Sequence, residues 1–207
     1  MRKQFITAIL YTVVTTLLLG VGYPLAVTVL AQWLMPYQAN GELIRRGGAV
    51  IGSQLIGQSF TGAGYFHGRP SAAGNGYDAA NSSGSNLGPT NAALIARVEQ
   101  STAALSGANG GADVPVDLVT TSASGLDPDI TPAGALFQVP RVARETGLPR
   151  AQVMQLVQSA TQPRQFGFLG EPRVNVLNLN LALRQLVAQD HTGSREQAQP
   201  VAGKVQK

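Results

Sequence analysis

"FITAILYTVVTTLLLGVGYPLAVTVLAQWLMPY" runs from Phe5 to Tyr37, and its reading decides the architecture. The chain has no Asp, Glu, Lys or Arg between Lys3 and Glu42. About 30 helical residues reach about 45 Å, enough to cross a hydrocarbon core of about 30 Å with tilt. Trp33 and Tyr37 fall where an aromatic belt would lie, and Arg2 and Lys3 mark the cytoplasmic end. A cleaved signal peptide is the competing reading, with Val29-Leu30-Ala31 as its processing site before Gln32. The apolar run is about twice the length of a signal-peptide apolar region, which favours a retained anchor. Arg45 and Arg46 balance Arg2 and Lys3, but a long polar domain translocates regardless of nearby charge, so the amino terminus is expected inside.

Along this segment Ala8, Thr12, Thr16, Gly20, Pro24 and Thr28 recur at every fourth position. Small residues at that spacing form a ridge against which another membrane helix can pack closely. The plainer alternative is that Gly, Ala and Thr are common in such helices. Gly20-Val21-Gly22 with Pro24 is a place for a bend.

Beyond the anchor the composition is that of a folded domain. Only 13% of the 207 residues are charged, about half the usual share, and the deficit is partly the anchor's. After the first 39 residues the balance is 13 Lys+Arg to 11 Asp+Glu, without a basic stripe, which excludes a nucleic-acid groove. Cysteine is absent, so disulfides and thiolate metal sites are excluded. "GELIRRGGAVIGSQLIGQSFTGAG", residues 41–64, reads as one or two short strands with turns. "PTNAALIARVEQSTAAL" predicts a helix with Pro89 in its first turn and a stripe of Leu94, Ile95, Val98 and Leu105. "VPVDLVTTSASG", Val114 to Gly125, predicts a strand with alternating Val116, Leu118 and Thr120. Thr131 and Pro132 cap and start a helix that Pro140 interrupts or kinks. A third helix stops near Thr161; a strand from Arg173 to Leu177 then passes into a helix ending near Gln189. The expected layout is cytoplasmic residues 1–4, a transmembrane helix at 5–35, one compact extracytoplasmic α+β domain at 36–190, and a polar, disordered tail at 191–207.

Catalytic constellations are scarce. His67 and His191 are the two histidines, and no zinc-type H-E-x-x-H or nucleophile-elbow G-x-S-x-G spacing occurs. The lysines are Lys3, Lys204 and Lys207, so a phosphate-binding loop has no lysine. Gly74-x-Gly76-x-x-Ala79 leads into more loop where a dinucleotide fingerprint needs a helix. Asp127-Pro128-Asp129 resembles the opening of a calcium loop, but Pro132 stands where its glycine belongs. No metal site, bound cofactor or enzyme of its own is expected.

The blocks "YPLAVTVLAQWLMPYQANG", "GSQLIGQSFTGAGYFHGRPSA", "SGSNLGPTN", "VPVDLVTTSASGLDPDITPAGALFQVPRVAR" and "GEPRVNVLNLNLAL" occur in one order across residues 23–185. Together they resemble the C subunit of the bacterial Kdp potassium-transporting ATPase. The resemblance implies a single-pass plasma-membrane subunit with its main domain outside, a non-catalytic accessory to a high-affinity K⁺ import pump. Its implied partners are a channel-like potassium-binding subunit, a P-type ATPase subunit and a small hydrophobic subunit, with K⁺ and ATP handled by the complex. The alternative it implies is a catalytic chaperone that raises nucleotide affinity through Thr121–Gly125, "TSASG". The irregular stretch from Tyr65 to Asn91 then becomes a docking or vestibule surface. Tyr65, Phe66, His67 and Arg69 are its expected anchors, with Ser85, Asn86 and Asn91 supplying hydrogen bonds.

Overall fold

The apolar run is helical from Arg2 to Leu34, but it changes pitch on the way. A first α-helix, α1 (Arg2–Thr15), widens into a π-helical stretch at Thr16–Gly22 and returns to α geometry in α2 (Tyr23–Leu34). Here the Tyr23 amide reaches back five residues, to the Leu18 carbonyl. Pro24 lacks an amide to serve the preceding turn, and Gly20 and Gly22 tolerate the wider path. No residue of this helix is buried, and 33 residues of apolar helix meet the length and composition of a membrane span. The structure, a computed structural model, describes residues 1–197, and side chains to Asp190.

The chain divides into two compact units, Met1–Ser53 and Gln54 onward. The first unit continues past the apolar helix through a short turn of helix, α3 (Pro36–Ala39), into an antiparallel hairpin of β1 (Leu43–Arg46) and β2 (Ala49–Ser53). Gly47 and Gly48 both adopt positive φ (58° and 83°) at its tip, the two-residue geometry that matches strand twist. The strands expected after Gly41 are therefore this hairpin.

The second unit is α+β. Its sheet orders β3 (Asp129–Ile130), β5 (Arg173–Asn175) and β4 (Thr161–Gln162), all antiparallel with β5 central. Around it lie α4 (Ala92–Ala108), α5 (Pro132–Thr146), α6 (Arg150–Ala160) and α7 (Val176–Gln197). The core takes Ala135, Val139 and Val142 from α5, Val153 and Val157 from α6, and Leu179 and Leu183 from α7. These sit at three- and four-residue spacings, one face per helix. Thr131 caps α5, accepting from the Gly134 amide at 2.9 Å, and Gly147 ends it in the left-handed conformation (φ 74°).

Several expectations change. Pro140 does not interrupt α5, which runs through it; the carbonyl it orphans belongs to Leu136, which is exposed. Pro89 lies before α4, whose cap is Asn91. Its expected stripe is shallow, since α4 has no buried residue. Val116–Leu118 is one turn of 3₁₀ helix, not a strand. That turn carries the buried Asp117 under the start of α5, where Oδ2 accepts from the Thr131 amide at 2.7 Å. The helix dipole there favours a carboxylate, and a strand would point Asp117 elsewhere. The last helix runs to Gln197, eight residues past its expected end at Gln189. Residues 198–207 of the expected tail lie outside the described residues.

Candidate functional site

Residues 54–91 contain almost no regular structure, yet they are stitched along their length to the rest of the unit. Asn180, on the apolar face of α7, is buried beside Leu179 and Leu183. Its Oδ1 accepts from the Phe66 amide at 2.8 Å and its Nδ2 donates to the Phe66 carbonyl at 2.9 Å. Gln138 on α5 does the same for the next residue: Oε1 accepts from the His67 amide at 2.7 Å, and Nε2 donates to the His67 carbonyl at 3.0 Å. Two side-chain amides thus act as the strand partner that this segment lacks. Arg141 adds bonds to the carbonyls of Ala63 and Tyr65 and to Gln138 Oε1. We call residues 54–91 the strap.

Its second half is laced to residues 120–127. Arg69 pairs with Asp127 at 3.0 Å and donates to the Thr120 and Thr121 carbonyls. Ser71 Oγ donates to the Gly125 carbonyl at 2.6 Å and accepts from the Tyr77 amide at 2.7 Å. The Tyr77 hydroxyl donates to the Arg69 carbonyl at 2.5 Å, and the Ser83 amide bonds the Ser124 carbonyl at 3.0 Å. The lacing is tight enough that glycine is obligatory in places. A Cβ at Gly125, already at φ 67°, would stand 2.5 Å from the Ser83 carbonyl oxygen and 2.7 Å from the Ala73 amide.

This construction corrects part of the docking set. Phe66 is fully buried in the core, so its ring is not available to a partner. Its apolar character serves the core of its own unit, and a loop without periodicity gave no sign of which way it pointed. Arg69 and His67 are half-buried and bonded internally; His67 Nε2 donates to the Gly62 carbonyl at 3.1 Å. Burial, opposed in part by that bond and reinforced by the Arg141 charge, lowers the His67 pKa. Tyr65 is half-buried, its ring 5.8 Å from that of Phe60. Asn86, at φ 52°, is exposed, Ser85 is half-buried, and the exposed Asn91 spends its Oδ1 on the Ala93 amide. His191 falls where side chains are not described.

A cleft of about 410 Å³ opens beneath the strap between Phe60, Phe137 and Leu105. Six ionisable or amide side chains line it: His67, Arg69, Tyr77, Asn109, Gln138 and Arg141. Each is hydrogen-bonded to a group of the same unit. A second recess gathers Asp117, Asp127, Asp129 and Glu171 with Arg69 and Arg173. Arg173 pairs with Asp129 at 3.1 Å, and burial raises the Asp129 pKa against that pairing. Among the described residues no group of three His, Cys, Asp or Glu is placed to hold a metal.

In the apolar helix the small residues fall on both geometries: Ala8 and Thr12 in α1, Thr16 and Gly20 in the π stretch, Pro24 and Thr28 in α2. Four residues overshoot one α-helical turn by about 40°. The wider π turn makes the same step fall short. The drift of the ridge therefore reverses midway instead of accumulating.

Residues 5–185 match the family described as KdpC, K⁺-transporting ATPase, c chain. The chain belongs to the KdpC family. It is similar to a potassium-transporting ATPase KdpC subunit of Acidobacterium capsulatum, 64% identical over 180 residues, covering 87% of this chain and 97% of the relative. A KdpC subunit of Koribacter versatilis is 61% identical over 183 residues, with 88% and 95% covered. One from Rhodopseudomonas palustris is 54% identical over 195 residues, with 88% and 97% covered. A KdpC chain is one subunit of a membrane-bound potassium-transport complex, and the candidate span at Arg2–Leu34 fits that setting.

Sequence reasoning missed Asn180, Gln138, Arg141 and Asp117. A signal existed for the first two: each is a polar residue at a core position of an apolar helical stripe, in "NLNLAL" and "FQVPRV". Buried amides need partners, and irregular backbone needs the same.

Proposed function

We propose that this KdpC chain is a non-catalytic accessory subunit that anchors and stabilises the potassium-import complex. Its apolar helix spans the plasma membrane with the amino terminus inside, and its α+β unit sits outside, near the K⁺ entrance of the channel-like subunit. The observation that carries this reading is the state of the cleft. Every ionisable and amide side chain lining it is bonded to the chain's own backbone, so these groups serve to hold the unit together. The P-type ATPase subunit and the small hydrophobic subunit complete the assembly. The small-residue ridge from Ala8 to Thr28 is the helix's packing face toward them. Tyr65, Ser85 and Asn86 remain as contact candidates on the strap.

Direct help with nucleotide binding is the less favoured role. Thr121, Ser124 and Gly125 of "TSASG" give their carbonyls to Arg69, Ser83 and Ser71 of the strap. With the amino terminus inside, only about the first four residues would face cytoplasmic ATP. An effect on nucleotide affinity through the assembly needs no contact at all.

The test is a mild-detergent pull-down from K⁺-starved cells with a tag after Lys207. A P-type ATPase chain and a channel-like chain recovered in fixed proportion support the reading. Recovery of this chain alone, from membranes that contain the other subunits, refutes it.

A further inference from the structure

Between β4 and β5 the chain projects a tip, "RQFGFLGE", Arg164 to Glu171. Gln165 and Leu169 exchange both backbone hydrogen bonds at 2.9 Å, which closes a three-residue loop of Phe166, Gly167 and Phe168. Phe166 is held at φ 53° and Gly167 at φ 83°. A bulky side chain in that left-handed region is strained. Phe166 is 82% exposed, Phe168 71% and Leu169 47%; among the described residues of this unit no other large apolar side chain reaches the exposure of the two rings. A strained aromatic turn offered to water is costly twice over, and nothing in the described unit covers it. Such a patch marks a contact.

The charge around the tip indicates what covers it. Arg164 is paired with Glu171 at 2.5 Å at its base, and Arg173 with Asp129 at 3.1 Å. A loop that inserts into anionic lipid keeps unpaired Lys or Arg beside its apolar residues. This base is neutralised, and no lysine lies between Lys3 and Lys204. We infer that Phe166, Phe168 and Leu169 form a rigid plug that seats in an apolar socket with an uncharged rim on another protein chain of the transport complex. The inference rests on the accessory-subunit reading. Two rings, at about 150–250 Å² each, supply the anchoring area expected of a binding hot spot.

The experiment uses the full tagged chain expressed with the other pump subunits. Phe166→Ser combined with Phe168→Ser touches no core residue, so its membrane level and protease resistance should match those of the unsubstituted chain. Recovery of the pump chains should fall at least about tenfold. In parallel, Phe168→p-benzoylphenylalanine is irradiated in native membranes. An adduct with a pump chain supports the plug. An adduct with lipid or with a second copy of this chain, or no adduct, overturns it, as does undiminished recovery with the double variant. If the unsubstituted chain itself recovers no pump subunit, the subunit reading fails and the plug with it. If it recovers them and the double variant does so equally, the plug alone falls.

Discussion

Asn180→Asp is the most informative single substitution, because it keeps the shape of the clamp and changes only its hydrogens. The side chain is buried, and its Nδ2 donates to the Phe66 carbonyl at 2.9 Å while Oδ1 accepts from the Phe66 amide at 2.8 Å. An ionised carboxylate keeps the second bond but sets an oxygen against the carbonyl in place of a donor. Leaving that carbonyl unpaired costs about 1–3 kcal/mol, and a buried charge adds to it, so about 3 kcal/mol in all is expected at neutral pH. For a unit of this size that lowers the melting temperature by roughly 6–12 °C. The introduced carboxyl should titrate above its unfolded value, because burial and the facing carbonyl both oppose ionisation. A raised folded pKa means the folded form binds the extra proton first, so the deficit is greatest at high pH. It should shrink as pH falls through the folded pKa, where the protonated carboxyl can donate to the Phe66 carbonyl again. The assay is urea denaturation of the full chain in mild detergent, followed by tyrosine emission across pH for both proteins. A difference below about 0.5 kcal/mol at neutral pH, or one that does not vary with pH, would refute the clamp.

Other outcomes follow from the same geometry. Gly125→Ala drives a Cβ to 2.5 Å from the Ser83 carbonyl oxygen at φ 67°, and should destabilise by roughly 2–4 kcal/mol, read as increased proteolysis of the strap. His67 has a lowered folded pKa, so the unfolded chain protonates first and stability falls as pH drops through about 6.5 toward the folded value. His67→Gln should flatten that acid slope, which cannot exceed about 1.4 kcal/mol per pH unit. Asp129 has a raised folded pKa, so the folded chain gains stability as pH falls from that value to the ordinary carboxyl range. Asp129→Asn should therefore compare best with the unsubstituted chain above that range and worst below it, in paired denaturation curves. Replacing Gly20 by Leu should block the small-residue face and reduce recovery of the pump chains severalfold without changing the chain's membrane level.

Local chemistry in the sequence was a sound guide where a residue's role is local. Thr131-Pro132 opens α5, and the apolar run from Phe5 is helical as far as Leu34. The strand expected over Val114–Gly125 failed because its alternation covers too few residues to distinguish a strand from a tight turn. What placed that segment was Asp117 reaching the start of α5. The strap was legible as irregular chain of unusual composition, but not its stitching. Asn180 lies 114 residues from Phe66 and Gln138 lies 71 from His67, separations at which no spacing rule operates. For the same reason nothing in the sequence marks Phe66 as a core residue, and the "FGFL" tip falls between two of the blocks that carry the family resemblance.

The clamp on Phe66 also fixes the order in which a nascent chain can close. The strap leaves the ribosome first, and the amide that holds it is made 114 residues later. At about 5–20 residues per second that interval is on the order of ten seconds. Throughout it the Phe66 amide and carbonyl lack their native partner, and a chain broken off before α7 never acquires one. Completion of the carboxy-terminal helix is thus the event that commits this unit to its fold, and shortened products should be cleared by proteolysis before they can compete for a place in the pump.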